Sequence, residues 1–208
     1  MSAQKNRLVE NSIMRLALEA TEEMIGRTGL NAVLRLAALN RYIDNPPPDN
    51  SKVATPGADL AALLAAIIDM YGEQVARGIF RRWGHAFGRI GAERRPVASL
   101  IKPMLNLLPL HRRMRVVLET LVREADAARG EHLHTLREFS HIFTITFEDC
   151  LYCHGMRVDS QICLTVVGTI ESVLKWGTGH EYDVIETACI GHGDPACVFQ
   201  IAKKPLDV

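Results

Sequence analysis

The sequence predicts an α+β fold, with N-terminal helices followed by an antiparallel sheet built from a β-β-α-β-β unit. Three observations predict it. Apolar residues recur at helical spacing as far as Gly130, the period then shortens from 3.6 to 2, and two final strand patterns flank a tight Gly/Asp/Pro turn.

Within residues 6–27, Leu8, Val9, Ile13, Leu16, Leu18, Met24 and Ile25 keep a helical rhythm, and Gly26 and Gly29 supply a stop. A second short helix is expected over 30–39. Asn45-Pro46-Pro47-Pro48-Asp49-Asn50 cannot be helix, because consecutive prolines remove donors and fix extended dihedrals, so a rigid loop is expected as far as Pro56. Leu60, Leu63, Leu64, Ile67, Ile68, Tyr71, Val75 and Ile79 give a central helix over 59–80 with a wide apolar face. Trp83-Gly84-His85-Ala86-Phe87-Gly88 follows it, then a segment 96–108, then a charged helix over 109–128 that Gly130 ends. His141, Phe143, Ile145 and Phe147 can share one face of a strand, and 132–138 reads as its partner. Helix returns over 160–176 and closes at Gly177-Thr178-Gly179. The last strands, 181–190 and 196–202, flank Gly191-His192-Gly193-Asp194-Pro195.

With 208 residues, 48% of them apolar, the chain can bury a core without disulfide staples and reads as one globular domain or one domain with a helical extension. Its 24 basic residues balance 24 acidic ones, so it lacks the basic excess with which proteins grip nucleic-acid phosphates or anionic lipid. The start, Met1 to Arg7, has no apolar core of a signal peptide. The longest apolar run, Leu60 to Ile68, is far too short to span a bilayer. A cytoplasmic protein without a membrane span is expected.

Five cysteines is an odd count, and all of them lie between Cys150 and Cys197. In a chain without an export signal, clustered thiols point to metal or redox chemistry rather than to a disulfide framework. Cys189 and Cys197 flank the Gly/Asp/Pro turn, so a hairpin would bring them close. Glu186 can add a carboxylate oxygen, although strict alternation puts positions 186 and 189 on opposite faces, and the site then needs a bulge or twist. Cys163, facing the sheet from the intervening helix, can supply a fourth ligand. Three thiolates and a carboxylate make a closed tetrahedral set suited to structural zinc. Buried small hydrophobes are the alternative reading of the same residues. Cys150-Leu151-Tyr152-Cys153-His154 has the form of a c-type haem attachment signal, against which the missing export signal argues. It can instead be a redox pair, a plain structural turn, or a competitor of Cys163 for the metal.

Three blocks together carry a resemblance: Phe147-Glu148-Asp149-Cys150-Leu151-Tyr152-Cys153, Trp176-Gly177-Thr178-Gly179, and Glu186 through Phe199 with its Cys189 and Cys197. They resemble the 4-vinyl reductase domain family, a small-molecule-binding relative of the TRAPP-subunit fold, over residues 58–203 or so. The resemblance implies a zinc ion held by Cys163, Glu186, Cys189 and Cys197, in the order and spacing of the family's phenol sensors. It leaves Cys150 and Cys153 as additional metal or redox candidates. It also implies a division into an N-terminal helical extension, 1–57, used for dimerisation, and a ligand-binding domain, 58–208.

A family-like fold would leave an apolar pocket between helices and sheet, for which Trp83, His85, Phe87, Phe139, His141, Phe143 and Trp176 are the candidate wall residues. Each also has an ordinary reading as core or surface. His85 could hydrogen-bond a phenol or ligate the metal of a tetrapyrrole. The basic residues Arg94, Arg95, Lys102, Arg112, Arg113, Arg115 and Arg123 could meet a ligand's carboxylates, or form a solvated helix face. Three functions follow: a zinc-stabilised carrier or sensor of a hydrophobic ring compound such as a chlorophyll-type tetrapyrrole intermediate, a reductase of a vinyl group, or a protein-interaction subunit. The chain has no G-x-G-x-x-G after a strand and no phosphate-binding loop, so only Cys150 and Cys153 could carry electrons for the second.

Overall fold

The computed structural model describes residues 8–93, 98–129, 132–153 and 156–206. It has the expected α+β architecture of helices followed by a four-stranded antiparallel sheet. Among the described residues no helix is long and apolar enough to cross a membrane.

The first element is a strand, β1 (Leu8–Glu10), paired antiparallel with β2 (Val53–Pro56). The sequence pattern suggests a helix start and a loop at these residues, because elements this short show too little alternation to be legible. Helix α1 (Asn11–Leu36) then runs through both glycines expected to end it; only Gly26, at φ 72°, leaves helical geometry, as a kink. The helix resumes because the apolar face continues beyond the kink, where Leu30, Val33 and Leu34 are buried.

Helix α2 (Gly57–Glu93) is longer than expected, kinked at Gly72 and continuous through Trp83–Gly88. Gly84 and Gly88, which read as breakers, are contact points: a Cβ on either would run into the backbone of the next long helix at Thr165 or Thr169. That partner is α5 (Leu164–Thr178), closed by left-handed Gly179 at φ 85°. Its own Gly168 faces the Arg81 carbonyl. Glycines on both helices let the backbones approach, and Thr169 Oγ1 and Ser172 Oγ donate across the seam to the carbonyls of Gly84 and His85.

Between them lie α3 (Ala98–Asn106), α4 (Leu110–Arg129), β3 (His134–Glu138) and β4 (Ile142–Phe147). After α5 come β5 (Tyr182–Ala188) and β6 (Cys197–Pro205), and the strand order is β3-β4-β6-β5. Phe143, Ile145, Phe199 and Ile201 form the fully buried face of this sheet. One core joins them to α1, α2 and α5, with Trp83 at its centre donating its indole N–H to Thr21 Oγ1 at 2.9 Å.

Candidate metal centre and adjoining cavity

The β5–β6 hairpin turns through a short 3-10 segment, Ile190–His192, and through Gly193 at φ 109°. Asp194 holds the turn: its Oδ2 accepts the Cys189 N–H at 2.8 Å, while its own N–H donates to the Cys189 carbonyl. The register shifts between Glu186 and Ala188, so the ladder carries the irregularity that a shared face for positions 186 and 189 requires. Cys163 sits at the N-cap of α5, one residue before the helix rather than within it. Cys150 and Cys153 come from the turn after β4, and the chain beyond them docks on the hairpin through the Val158 N–H to the Gly191 carbonyl.

All five cysteines are fully buried free thiols. The Sγ atoms of Cys163 and Cys189 are 3.8 Å apart and those of Cys163 and Cys197 3.7 Å. Cys150 lies 3.4 Å from Cys163, and Cys153 3.3 Å from Cys197. Donor atoms converge in two groups, each with all its members within 4.8 Å of one another: Cys163, Glu186, Cys189 and Cys197, and Cys150, Cys153, Cys163 and Cys197.

This donor set suits a soft divalent ion. With Zn–S bonds of about 2.3 Å, a tetrahedral site has S–S edges of about 3.8 Å, close to the Cys163–Cys189 and Cys163–Cys197 spacings. Glu186 supplies a second observation. Its Oε2 accepts the Cys163 N–H at 2.8 Å, but Oε1 is buried with no hydrogen-bond partner among the described residues, a state that costs free energy unless a cation meets it.

Proton affinities in this cluster are pulled apart. Hydrogen bonds from Cys150 and Cys163 bring the Cys197 thiol down to about 5, and those from Cys153 and Cys163 bring Cys189 down to about 6. Cys163 and Cys153 are pushed up by hydrogen bonding to Cys150 and other cluster thiols. Burial, and then the charge of Cys189, raise the Glu186 carboxyl to about 9. The cluster thus favours a few anionic sulfurs that share the protons of the others.

Next to the cysteines is an apolar cavity of about 330 Å³ between β1, α4, β4 and α5. Leu151 and Tyr152, the two residues between Cys150 and Cys153, form part of its wall together with Val9, Leu121, Phe147 and Val166. Its polar members include His134, whose Nδ1 donates to Asp126 Oδ1 at 2.6 Å. Apart from Val9 and Phe147 as pattern residues, nothing in the sequence points to this wall, because β1 is not legible and α4 reads as a charged helix.

The expected pocket residues do not converge on this cavity. His85 and Trp176 line a different one, of about 470 Å³ between α1, α2 and α5, whose rim carries Glu19, Glu23, Arg82, Arg89 and Lys175. His85 Nε2 there meets Glu171 at 2.8 Å. Trp83 and Phe143 are fully buried in the core, Phe87 packs against that core, and Phe139 and His141 lie at the exposed β3–β4 turn. Lys102 stands over the Trp176 ring, and Arg113 and Arg115 bond to Asn106 and Glu138. Arg94, Arg95, Gly130 and His154 lie outside the described residues.

Residues 143–203 match the sequence profile of the 4-vinyl reductase domain, in agreement with the resemblance carried by the cysteine block. No curated protein matches the chain. Among solved structures, the phenol-responsive sensory domain of the transcription activator PoxR, crystallised with phenol, is 18% identical. The match covers 85% of this chain and 90% of that domain, with a TM-score of 0.55. An Fe(II) unliganded H-NOX protein from K. algicida is 10% identical, with coverage of 95% and 98% and a TM-score of 0.60. An H-NOX protein from S. oneidensis is 9% identical, with coverage of 94% and 97% and a TM-score of 0.58. At these identities the likeness is one of fold.

Proposed function

We propose that this chain, which carries a 4-vinyl reductase domain at residues 143–203, is a carrier or sensor module for a hydrophobic ring compound, with a structural zinc ion held by Cys163, Glu186, Cys189 and Cys197. The observation that carries this reading is the shared wall: the apolar cavity is bounded by Leu151 and Tyr152 from the cysteine turn and by Val166, three residues beyond Cys163. When bound, zinc would act as a cross-link between the α5 N-terminus and the hairpin, adding folding free energy because the four donors meet only in the folded chain. The phenol complex of the PoxR domain supports a small aromatic as cargo.

The cavity does the binding. Its volume is at the lower end for small-molecule sites and suits one or two rings. A tetrapyrrole, the larger cargo implied by the family resemblance, would require the walls to part. Asp126 fixes the proton on His134 Nδ1, so the neutral ring carries its lone pair on Nε2 and His134 gives the apolar wall a hydrogen-bonding group. A homodimer through residues 1–57 belongs to the same reading and would use the exposed Met24 and Leu36 of α1.

Native mass spectrometry of the full chain purified without chelator, followed by calorimetric titration with phenol, 1-naphthol and protoporphyrin, tests this. Zinc in the purified chain, and binding of a ring compound that Val166→Trp abolishes while leaving the circular dichroism and metal content unchanged, are the expected results. Failure to bind any of the three probes, or equal binding by Val166→Trp, would overturn the cavity assignment. Dimeric mass that Met24→Asp converts to monomer is expected for the N-terminal interface.

A further inference from the structure

The two groups of donors are not alternatives of equal standing but two tetrahedra with a common edge. Cys163 and Cys197 belong to both. One tetrahedral ion takes four ligands, so a single ion in either group leaves two buried donors of the other unused. Those two always stand beside a shared sulfur. With the ion in the Glu186 group, Cys150 remains 3.4 Å from Cys163 and Cys153 remains 3.3 Å from Cys197.

We infer that the cluster holds two zinc ions, with Cys163 and Cys197 as bridging thiolates, Cys150 and Cys153 completing one ion's shell, and Glu186 and Cys189 completing the other's. The inference rests on the proposed zinc site and adds the second ion to it. Three observations carry it. The five sulfurs come from three separate parts of the fold: the turn after β4, the cap of α5 and the β5–β6 hairpin. Buried cysteines serving only as small hydrophobes have no reason to converge. Each group independently reaches four donors within 4.8 Å, the number and closeness of a closed zinc shell. Finally, two divalent cations offset four of the six negative charges that five thiolates and a carboxylate carry. The residual charge meets the N-terminus of the fifteen-residue α5 at Cys163 and the Ile190 N–H, which donates to Cys197 Sγ at 3.4 Å.

The second ion has a structural consequence. Cys150 and Cys153 bracket Leu151 and Tyr152, so an ion between them fixes that stretch of cavity wall.

The full chain, reduced and reconstituted with zinc, should show two ions per chain by native mass spectrometry. The Cys150→Ser/Cys153→Ser double variant should show one and retain its circular dichroism. Reconstitution with ¹¹³Cd should give two NMR resonances split by mutual coupling through the shared sulfurs. One ion per chain with a single unsplit resonance would overturn the second ion while leaving the proposed site standing. No bound ion would overturn both. Two uncoupled resonances, or two ions retained by the double variant, would overturn the bridged arrangement. The wild-type ion count decides the matter even if the double variant fails to fold.

Discussion

The backbone N–H of Cys163 donates to Glu186 Oε2 at 2.8 Å, which anchors the carboxyl by one oxygen and leaves Oε1 buried without a partner among the described residues. An anchored carboxylate is a preorganised ligand. Glu186→Gln keeps the shape and an oxygen for the Cys163 N–H but removes the charge. It should weaken zinc binding by more than the roughly 10–100-fold that loss of a supporting outer-shell contact costs. Chelator competition followed at equilibrium measures this, and unchanged affinity would remove Glu186 from the ligand set.

Metal removal should destabilise the whole domain, because the donors tie α5 to the hairpin. At free zinc about 1,000 times its dissociation constant, binding contributes about 4 kcal/mol. Addition of a strong chelator should therefore lower the urea midpoint substantially, and Cys189→Ser should reproduce most of that loss without chelator. Cys150→Ser should cost much less, since it leaves the Glu186 set complete. Equal losses from Cys189→Ser and Cys150→Ser would contradict the assignment of separate roles.

The α2–α5 seam makes a sharper prediction about packing. A Cβ at Gly84 would penetrate the Thr165 carbonyl oxygen, and backbone cannot step aside as a flexible side chain can. Gly84→Ala should cost at least the roughly 1–3 kcal/mol of ordinary overpacking. Gly78, on the same helix but with open space around the position of its Cβ, is the control: Gly78→Ala should stabilise by about 0.5–1 kcal/mol through helix propensity and reduced chain entropy. Thermal unfolding of the two variants should move in opposite directions.

Those glycines also explain where the sequence is legible and where it is not. The switch from helical to strand periodicity, the closing glycine of α5 and the hairpin around Gly193 are local signals, and the structure has each of them near its expected position. Gly26, Gly84 and Gly88 carry the same local signal with different tertiary meanings, a kink in one case and a helix crossing in the others. The same limit applies to the site. Spacing brings Cys163, Glu186, Cys189 and Cys197 together on paper, because a hairpin and a helix cap constrain few residues. The cavity wall draws single residues from β1, α4, β4 and the cysteine turn, and no spacing rule links Val9 to Leu121 or Tyr152. His85 and Trp176 stand out by residue type alone, and they meet in the more polar cleft.

Asp126 links α4 to β3 and gives the protein an acid-sensitive joint. Its Oδ1 accepts the His134 Nδ1–H at 2.6 Å and the backbone N–H groups of Leu133 and His134 at 3.0 and 3.2 Å. Burial pushes this carboxyl up, but the hydrogen bonds from His134, Leu133 and His132 outweigh it and hold the group below its ordinary range. A carboxyl whose folded pKa is depressed binds fewer protons folded than unfolded. Its stabilisation is therefore complete above the unfolded value of about 3.9 and is lost as pH falls through the lower folded value. Urea unfolding of the zinc-free chain between neutral pH and about pH 3 should show stability declining at the acid end. Asp126→Asn should be less stable at neutral pH and show a shallower acid decline, since the amide cannot titrate. Because His134 lines the cavity, the same variant should also weaken phenol binding at neutral pH, where the wild-type joint is intact. An acid decline of equal slope in both proteins would show that other carboxyls, and not Asp126, carry the pH dependence.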